Sequence, residues 1–496
     1  MKSFISTPIF YVNAEPHIGH AYSLILADTI TRVRNLCGAE KTLLVTGTDE
    51  HGQKIMQASL SRKMTPKELC DQQSGHFHRL ANIVTHNNVF DFIRTTEPRH
   101  KESVLHFWGS HKGWYCTEDE AFYTNVKEVT IDNERVMVSE ETGRRVHMIE
   151  EPNYRFRLPK YLPAIFDWIK SSQAPLEPAV YTSEILHTIE SLENEDLSVS
   201  RCKSRVPWGI EVPGDPDQTI YVWLDALINY LTVSGYPNEE RLHWPPTHVI
   251  GKDISKFHCI YWPAFLLSAG LSLPKKIIIH SHWTMNGRKM SKSDGNVINP
   301  FNVIDAFGVD ALRYFLLKEG YLRRDSDIDI SANSISATYK SDLMSYYGNM
   351  FSRIFKTPFV EEFPALIEPI TENDKELYEE IERWLLDAYN ECKFSQGVLI
   401  IMEMLAKVNT YFTDMKPWEL KQEKKISHLN RVMYMTFESF RIISLLFQPL
   451  IPNAASKVLD HMGILDRKLT PENLRIGYDY RNSNVKSLKE NLFPKK

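Results

Sequence analysis

Two short clusters of basic residues, far apart in the chain, have the residue types that handle phosphate groups. The first is His17-Ile18-Gly19-His20, and the second is Lys289-Met290-Ser291-Lys292-Ser293. Imidazoles can donate hydrogen bonds to phosphate oxygens, and two ammonium groups can neutralise a triphosphate. Each cluster alone is equally typical of a helix cap or a solvated basic turn. Their occurrence in one α/β pattern favours a single phosphate-binding site assembled from distant parts.

The local sequence predicts how each cluster is presented. An apolar run from Phe4 to Val12 predicts a strand, and polar residues follow it before a helix predicted from Ile18 to Cys37. Free N–H groups at a helix N-terminus favour an anion, and Gly19 lets a flat ring approach the backbone. The second cluster follows a β-rich run, Lys276 to His282, on a loop that can swing towards a bound triphosphate.

The pattern of elements predicts a divided α/β domain followed by helices. Alternation in residues 1–110 is typical of the first half of a nucleotide-binding sheet, with Asp49 just beyond a strand predicted over Lys41 to Thr46. Residues 111–220 break the alternation, which resumes in residues 221–333. Beyond residue 334, apolar residues recur at helical spacing, for example between Leu399 and Phe412.

Composition excludes several classes of protein. The chain has 496 residues, 43% of them hydrophobic, which is enough for ordinary cores in several domains. The sequence lacks the run of about 18 apolar residues that a membrane-spanning helix needs. A net charge of -5 means that any contact with nucleic acid depends on local basic patches. The six cysteines form no C-x-x-C pair, so free thiols are expected rather than disulfides or a zinc ribbon.

The order of the motifs resembles the class I aminoacyl-tRNA synthetases, whose two signatures both stand here unaltered. More narrowly, nearly the whole chain is similar to the methionyl-tRNA synthetase family. The matching blocks are Thr7 to Asn13, Gly47 to Gly52, Tyr221 to Ala226 and Gly251 to Ile254. A series of blocks in this order is far more specific than any one of them.

The resemblance implies a class I Rossmann-like, doubly wound parallel sheet split by a connective insertion and followed by an all-α helical bundle. Residues 1–110 would form the first half of the catalytic domain, and residues 111–220 the insertion. Residues 221–333 would complete the catalytic domain, and residues 334–496 would form the anticodon-binding domain.

The implied activity is ATP-dependent ligation of L-methionine to methionine tRNA through methionyl-adenylate, with release of AMP and pyrophosphate. ATP with Mg²⁺ would be the substrate complex. Many family members carry zinc knuckles in the insertion, but residues 115–120 offer one thiol, Cys116, where four ligands are needed. We therefore expect no metal site. The insertion is also too short to resemble an editing domain.

The resemblance assigns roles to residues of this sequence. Charge on the reacting phosphate would be stabilised by His17, His20, Lys289 and Lys292. The wider ATP site would add Gly19, Gly251, Asp253, Met290, Ser291 and Ser293. Methionine would be bound by Ile9, Tyr11, Asp49, Trp223, Ala226, Tyr230, Ile254, His258 and Trp262, with Asp49 taking the ammonium group. The tRNA anticodon would be read by Asn349, Arg353 and Trp418.

Three other functions stay open at this point. A small-molecule adenylyltransferase shares the first motif but has little use for the helical region. An inactive RNA-binding relative would lack catalytic residues, and a cysteine-specific synthetase would need a thiol-selective metal site. We expect a monomer with no membrane association. The chain shows no leader before its first strand, yet its zinc-free insertion resembles fungal mitochondrial members, so the mitochondrial matrix is expected, with the cytoplasm as the alternative.

Overall fold

In the computed structural model, strands and helices alternate through the first part of the chain, and helices fill the last part. The structure describes residues 3–38, 41–110, 115–118, 126–131, 134–139, 152–192, 195–238, 243–285, 288–289, 297–320, 328–330, 332–356, 359–363, 387–478, 485 and 490–495.

The strands are short, and most of them belong to the first 330 residues. They are β1 (Ser3–Ser6), β2 (Phe10–Tyr11), β3 (Thr42–Asp49), β4 (Val89–Arg94), β5 (Tyr115–Glu118), β6 (Val126–Ile131), β7 (Glu134–Ser139), β8 (Pro152–Phe156), β9 (Leu176–Glu177), β10 (Leu197–Ser198), β11 (Ser200–Cys202), β12 (Glu211–Val212), β13 (Asp215–Ile220), β14 (Thr247–Gly251), β15 (Lys276–His280), β16 (Trp283–Met285), β17 (Arg288–Lys289) and β18 (Ile328–Asp329).

Helices occur in every part of the chain, and two of the longest, of 21 and 22 residues, lie in the last part. They are α1 (Ile18–Cys37), α2 (Gln53–Ser61), α3 (Pro66–Thr85), α4 (Pro98–Ser110), α5 (Leu162–Lys170), α6 (Val180–Ser191), α7 (Val222–Thr232), α8 (Trp262–Ser268), α9 (Pro300–Phe307), α10 (Val309–Glu319), α11 (Ala332–Thr338), α12 (Gly348–Phe355), α13 (Phe394–Asp414), α14 (Pro417–Gln422), α15 (Ile426–Phe447) and α16 (Pro452–His461). Two π-helical stretches, Phe257–Tyr261 and Tyr339–Tyr347, lead into α8 and α12.

A parallel sheet of seven strands forms the centre of the first part. Its order is β4-β3-β1-β14-β15-β9, and β2 pairs with the end of β3. The β14 and β15 strands are almost continuous β-branched runs, as expected for strands covered on both faces. The chain order reverses between β1 and β14. In doubly wound sheets, the crevice outside the carboxyl ends of the strands at this reversal is where ligands bind.

Between β4 and β14 the chain builds smaller antiparallel sheets beside the central one. β8 pairs with β5 and β10, and β13 pairs with β11 and β12. Helices α5 and α6 pack on each other, and β9 returns to the edge of the central sheet beside β15. These elements share one apolar core with α7, α8 and β15.

The C-terminal helices pack on the α/β part through α10, which contacts α1 and α13. The interface between these two parts contains Arg313, whose side chain is 0% exposed. Its guanidinium donates to Asp28 Oδ2 at 2.6 Å and to the Val84 carbonyl at 2.6 Å. It also donates to the carbonyls of Pro449 and Leu450, at 2.7 and 2.9 Å. One buried cation therefore joins α1 and the end of α3 to the segment between α15 and α16.

The structure confirms the predicted fold class, including the helical C-terminal region. It places α1 over the predicted residues, but β3 extends to Asp49, so this carboxylate belongs to the strand end rather than to the loop. The proposed domain boundaries stay predictions. In the described part of the chain, no helix is both long and apolar enough to cross a membrane.

Candidate active site

A cavity of about 720 Å³ opens at the reversal of the strand order. Its wall comes from the carboxyl ends of β1, β3, β14 and β15, and from the N-terminal part of α1 and α7. Volumes of this size are typical of small-molecule sites. The lining residues include Ile9, Tyr11, His17, Gly19, His20, Asp49, Trp223, Ala226, Tyr230, Gly251, Asp253, Ile254 and His258. Residues predicted to bind a nucleotide and residues predicted to bind an amino acid thus share one cavity.

His17 and His20 cap the N-terminus of α1 reciprocally. The Nδ1 atom of His17 accepts from the Gly19 N–H at 3.1 Å, and Nδ1 of His20 accepts from the His17 N–H at 3.0 Å. A neutral imidazole that accepts at Nδ1 carries its proton on Nε2. A Cβ at position 19 would lie 2.9 Å from Cε1 of His17. The cap therefore fixes which ring nitrogen can donate, and it requires glycine between the histidines.

The opposite wall comes from the ends of β14 and β15. His282 Nε2 lies 2.9 Å from Asp253 Oδ1, and that same carboxylate oxygen would lie 2.8 Å from a Cβ at Gly251. His280 Nε2 lies 2.8 Å from the Ser23 hydroxyl of α1. Burial lowers the pKa of His280 to about 4, so this ring is neutral at physiological pH and accepts from Ser23. Sequence reasoning missed Ser23, His280 and His282, although the last two follow a buried strand at the ligand-binding edge.

Asp49 is a buried carboxylate with an unused acceptor. Its Oδ1 atom has no hydrogen-bond partner among the described residues, and the side chain lines the cavity. Burial, followed by the nearby charge of Asp225, raises the pKa of Asp49 well above its usual value. A buried carboxylate with a raised pKa and a free oxygen is suited to a cationic ligand group.

Aromatic side chains surround the part of the cavity next to Asp49. Trp223 stacks on Phe257 with ring centroids 3.6 Å apart. The Tyr230 hydroxyl lies 2.8 Å from His258 Nε2, and His258 Nδ1 lies 3.0 Å from the Ile254 carbonyl. Burial lowers the pKa of His258 to about 4, so its neutral ring donates to the carbonyl and accepts from Tyr230. Hydrogen bonds among Tyr230, His258 and the Ile254 carbonyl thus fix the orientation of these polar groups in the amino-acid half of the cavity.

Trp262 is not part of the cavity wall, which corrects the prediction that it lines the amino-acid pocket. Its side chain is 0% exposed and lies behind Tyr230, with ring centroids 5.8 Å apart. The indole N–H donates to His248 Nε2 at 3.2 Å. The resemblance to the family suggested a pocket residue, but the start of α8 directs Trp262 into the core.

Of the second basic cluster, the structure describes only the first residue, Lys289. β17, which ends at Lys289, pairs with β16 in the register Thr284 to Lys289. Trp283 of β16 lines the cavity, so the cluster begins beside the cavity mouth. Met290, Ser291, Lys292 and Ser293 lie outside the described residues.

The three residues predicted to read the anticodon lie on the C-terminal helices, away from the cavity. Asn349 is exposed on α12. One turn later, Arg353 donates from Nη1 to Thr413 Oγ1 of α13 at 2.9 Å. Trp418, at the start of α14, keeps 40% of its surface exposed, which is unusual for an indole. The structure thus places two of them on α12 and the third on α14, with Arg353 in contact with the end of the helix that precedes α14.

Within the described ranges, no group of three or more histidine, cysteine, aspartate or glutamate side chains is arranged to hold a metal ion. The expected absence of zinc stays a prediction.

Comparison with known proteins agrees with this geometry. Residues 3–355 match the family described as tRNA synthetases class I (M). A Dictyostelium discoideum protein named probable methionine–tRNA ligase, mitochondrial, is 42% identical over 99% of this chain and 92% of its own length. The human methionine–tRNA ligase, mitochondrial, is 38% identical over 94% of this chain and 84% of its own length.

Solved structures give the same result. Mycobacterium tuberculosis methionyl-tRNA synthetase in complex with methionyl-adenylate superposes with a TM-score of 0.89, at 31% identity, with full coverage of both chains. The free form of that enzyme gives a TM-score of 0.80. On the family match, the relatives and the superposition together, this chain belongs to the class I methionyl-tRNA synthetases.

Proposed function

We propose that this protein joins L-methionine to methionine tRNA in two steps, with methionyl-adenylate as the intermediate. The observation that carries the proposal is the single cavity, in which capped histidines and a buried carboxylate with a free oxygen face the same space. Relatives named methionine–tRNA ligase and a methionyl-adenylate complex of the same fold support it.

The nucleotide half of the cavity would hold ATP and stabilise the reacting phosphate. His17 and His20 would donate from Nε2 to oxygens of the α-phosphate while the methionine carboxylate attacks it and pyrophosphate leaves. Gly19 and Gly251 leave room for the adenosine, and Asp253, oriented by His282, would accept from a ribose hydroxyl. These groups act by position and charge, without a covalent enzyme intermediate.

The basic cluster would neutralise the triphosphate. We assign this role to Lys289 and Lys292, with Met290, Ser291 and Ser293 shaping the loop. Mg²⁺ would enter as part of the ATP substrate, spreading the charge of the pyrophosphate that leaves.

The other half would select the amino acid. Asp49 would pair with the ammonium group, which supplies the missing partner of its Oδ1 atom. Ile9, Tyr11, Trp223, Ala226 and Ile254 would surround the thioether chain. The Tyr230 ring, oriented by the bond from its hydroxyl to His258, would pack against the thioether sulfur.

We assign recognition of the anticodon to Asn349, Arg353 and Trp418. An exposed indole can stack on an unpaired base, and amide and guanidinium groups can hydrogen-bond base edges. The Trp418→Ala variant should charge tRNA poorly while exchanging pyrophosphate into ATP at the wild-type rate. Leu465→Ala, which removes another exposed apolar side chain of the C-terminal region, is the matched control. Equal loss of exchange by Trp418→Ala would show that the indole supports the fold instead.

We also propose a mitochondrial location, which the mitochondrial names of the relatives support. Imaging of a C-terminally tagged chain tests it, and a cytoplasmic signal would contradict it. A monomer is proposed as well, to be checked by light scattering after gel filtration.

An aminoacylation assay with every proteinogenic amino acid and bulk tRNA is the decisive test. Methionine alone should be charged, and the reaction should stop when ATP is omitted. Charging of a different amino acid, or of none, would overturn the proposed function.

A further inference from the structure

A buried cluster of titratable groups lies directly behind the amino-acid half of the cavity. Asp225 of α7 is 1% exposed, and each of its carboxylate oxygens has a histidine partner. His51 Nδ1 lies 2.7 Å from Oδ2, and His100 Nε2 lies 2.8 Å from Oδ1. The second nitrogen of His100 lies 3.1 Å from the Thr232 hydroxyl. The roles proposed above use none of these groups.

The cluster joins three separate elements. His51 belongs to the loop after β3, residues 50–52, which we call the β3 loop. His100 lies in the first turn of α4, and Asp225 lies on α7 between Trp223 and Ala226. Burial alone would raise the pKa of Asp225, but the two histidines outweigh it and lower that pKa to about 2. The carboxylate is therefore ionised at physiological pH and holds both rings.

His51 connects the cluster to Asp49. Its ring binds Asp225, and its main-chain N–H lies close enough to the Asp49 carboxylate to offset part of the rise in the pKa of that group. The His51 carbonyl accepts from the Tyr11 hydroxyl at 2.9 Å. A shift of this ring would therefore move the backbone that orients Asp49.

The rest of the β3 loop is held from the far side. The Glu50 carboxylate accepts from Arg94 Nε and Nη2 at 2.7 and 3.1 Å. The Glu50 carbonyl accepts from the Trp208 indole at 2.6 Å and from the Cys70 thiol at 3.4 Å. Glu50 is anchored without help from α7, and Gly52 meets that helix only by packing near Val222, so the His51 to Asp225 bond is the described hydrogen bond that ties the loop to the pocket helix.

We propose that Asp225, clamped between His51 and His100, is a positioning residue that holds the β3 loop against α7 so that Asp49 faces the substrate ammonium group. The inference rests on the proposed function, because it concerns how that same site recognises the amino acid. Asp225 does not touch substrate. It fixes the distance between the carboxylate that takes the ammonium and the aromatic residues that take the side chain, which is a form of preorganisation.

The test compares KM values in ATP–pyrophosphate exchange for Asp225→Asn, His100→Leu and His100→Gln. In Asp225→Asn and His100→Leu, the KM for methionine should rise about tenfold while the KM for ATP stays within about twofold. His100→Gln should behave as wild type, because its amide can donate to the same carboxylate oxygen. Asp342→Asn, which changes another buried aspartate far from the cavity, should leave both KM values unchanged.

Two inhibitors locate the defect at the ammonium group. L-Methioninol, which keeps the ammonium, should inhibit Asp225→Asn about tenfold more weakly than wild type. The des-amino analogue 4-(methylsulfanyl)butanoate should inhibit both equally. Unchanged constants for methionine, or equal losses for methionine and ATP, would overturn the inference. If Asp225→Asn does not fold, the His100→Leu and His100→Gln pair decides. Failure of the proposed function is distinguishable, because wild type would then not exchange with methionine at all.

Discussion

Replacing Asp49 by asparagine should weaken methionine binding and at the same time stabilise the protein. The substitution keeps the size of the side chain but removes its charge. Asp49 is 9% exposed, and its Oδ1 atom lacks a partner in the described structure. An ammonium group that binds there would supply the missing hydrogen-bond partner of Oδ1.

The loss of affinity can be worked out from this geometry. Removing one member of a buried charged pair costs about 2 to 5 kcal/mol. Asparagine still offers an oxygen and the cavity is open to solvent, so we take the lower end, about 2 kcal/mol. This corresponds to an increase of roughly thirtyfold in Kd for methionine. Calorimetry with methionine and with the des-amino analogue measures the loss, which should be absent for the analogue.

The gain in stability follows from the raised pKa of Asp49. A carboxyl group whose pKa is raised on folding binds protons more tightly in the native state, so its ionisation lowers stability as pH rises. At neutral pH, Asp49→Asn should therefore have the higher Tm. The difference should shrink towards zero in acid, where the carboxyl group is protonated in both states. Affinity for methionine that stays within about threefold of wild type, or a lower Tm at neutral pH, would refute the reasoning.

Three further substitutions test other parts of the structure. Arg313→Met should lower the free energy of urea unfolding by about 3 to 5 kcal/mol, because it removes the donor to three buried carbonyls and one of the two cations that pair with Asp28, the other being Arg32. The half-exposed Lys318→Met is the control, and equal losses would contradict this account. Trp262→Phe removes an indole N–H outside the cavity wall, so the KM for methionine should change less than about threefold in pyrophosphate exchange. Gly251→Ala places a methyl group against the Asp253 carboxylate and should raise the KM for ATP about tenfold with that for methionine unchanged.

The sequence predicted those features that depend on local pattern. The start of α1 at the first basic cluster, the strand leading to Asp49 and the helical C-terminal region all follow from periodicity and capping residues. The direction in which a side chain points in the folded protein could not be predicted in the same way. The resemblance assigns both Trp223 and Trp262 to the pocket, yet one lines the cavity and the other packs behind it, since helix phase cannot be read to one residue from sequence.

Contacts between distant elements could not be predicted from the sequence either. His51, His100 and Asp225 come from three separate segments, and no spacing along the chain relates them. His280 and His282 could have been found, because residues that follow a buried parallel strand lie at the ligand-binding edge. Ser23 gave no signal, since a serine inside an apolar helix is common.

The position of Arg313 in the chain has a consequence for synthesis on the ribosome. All strands of the central sheet have been made once residue 280 has emerged, so the sheet can pair early. The guanidinium, however, finds two of its carbonyl acceptors only at Pro449 and Leu450. A nascent chain that stops short of these residues holds a cation that lacks two of its acceptors, next to an assembled sheet. The catalytic part thus reaches its final packing only after Pro449 and Leu450 have been made.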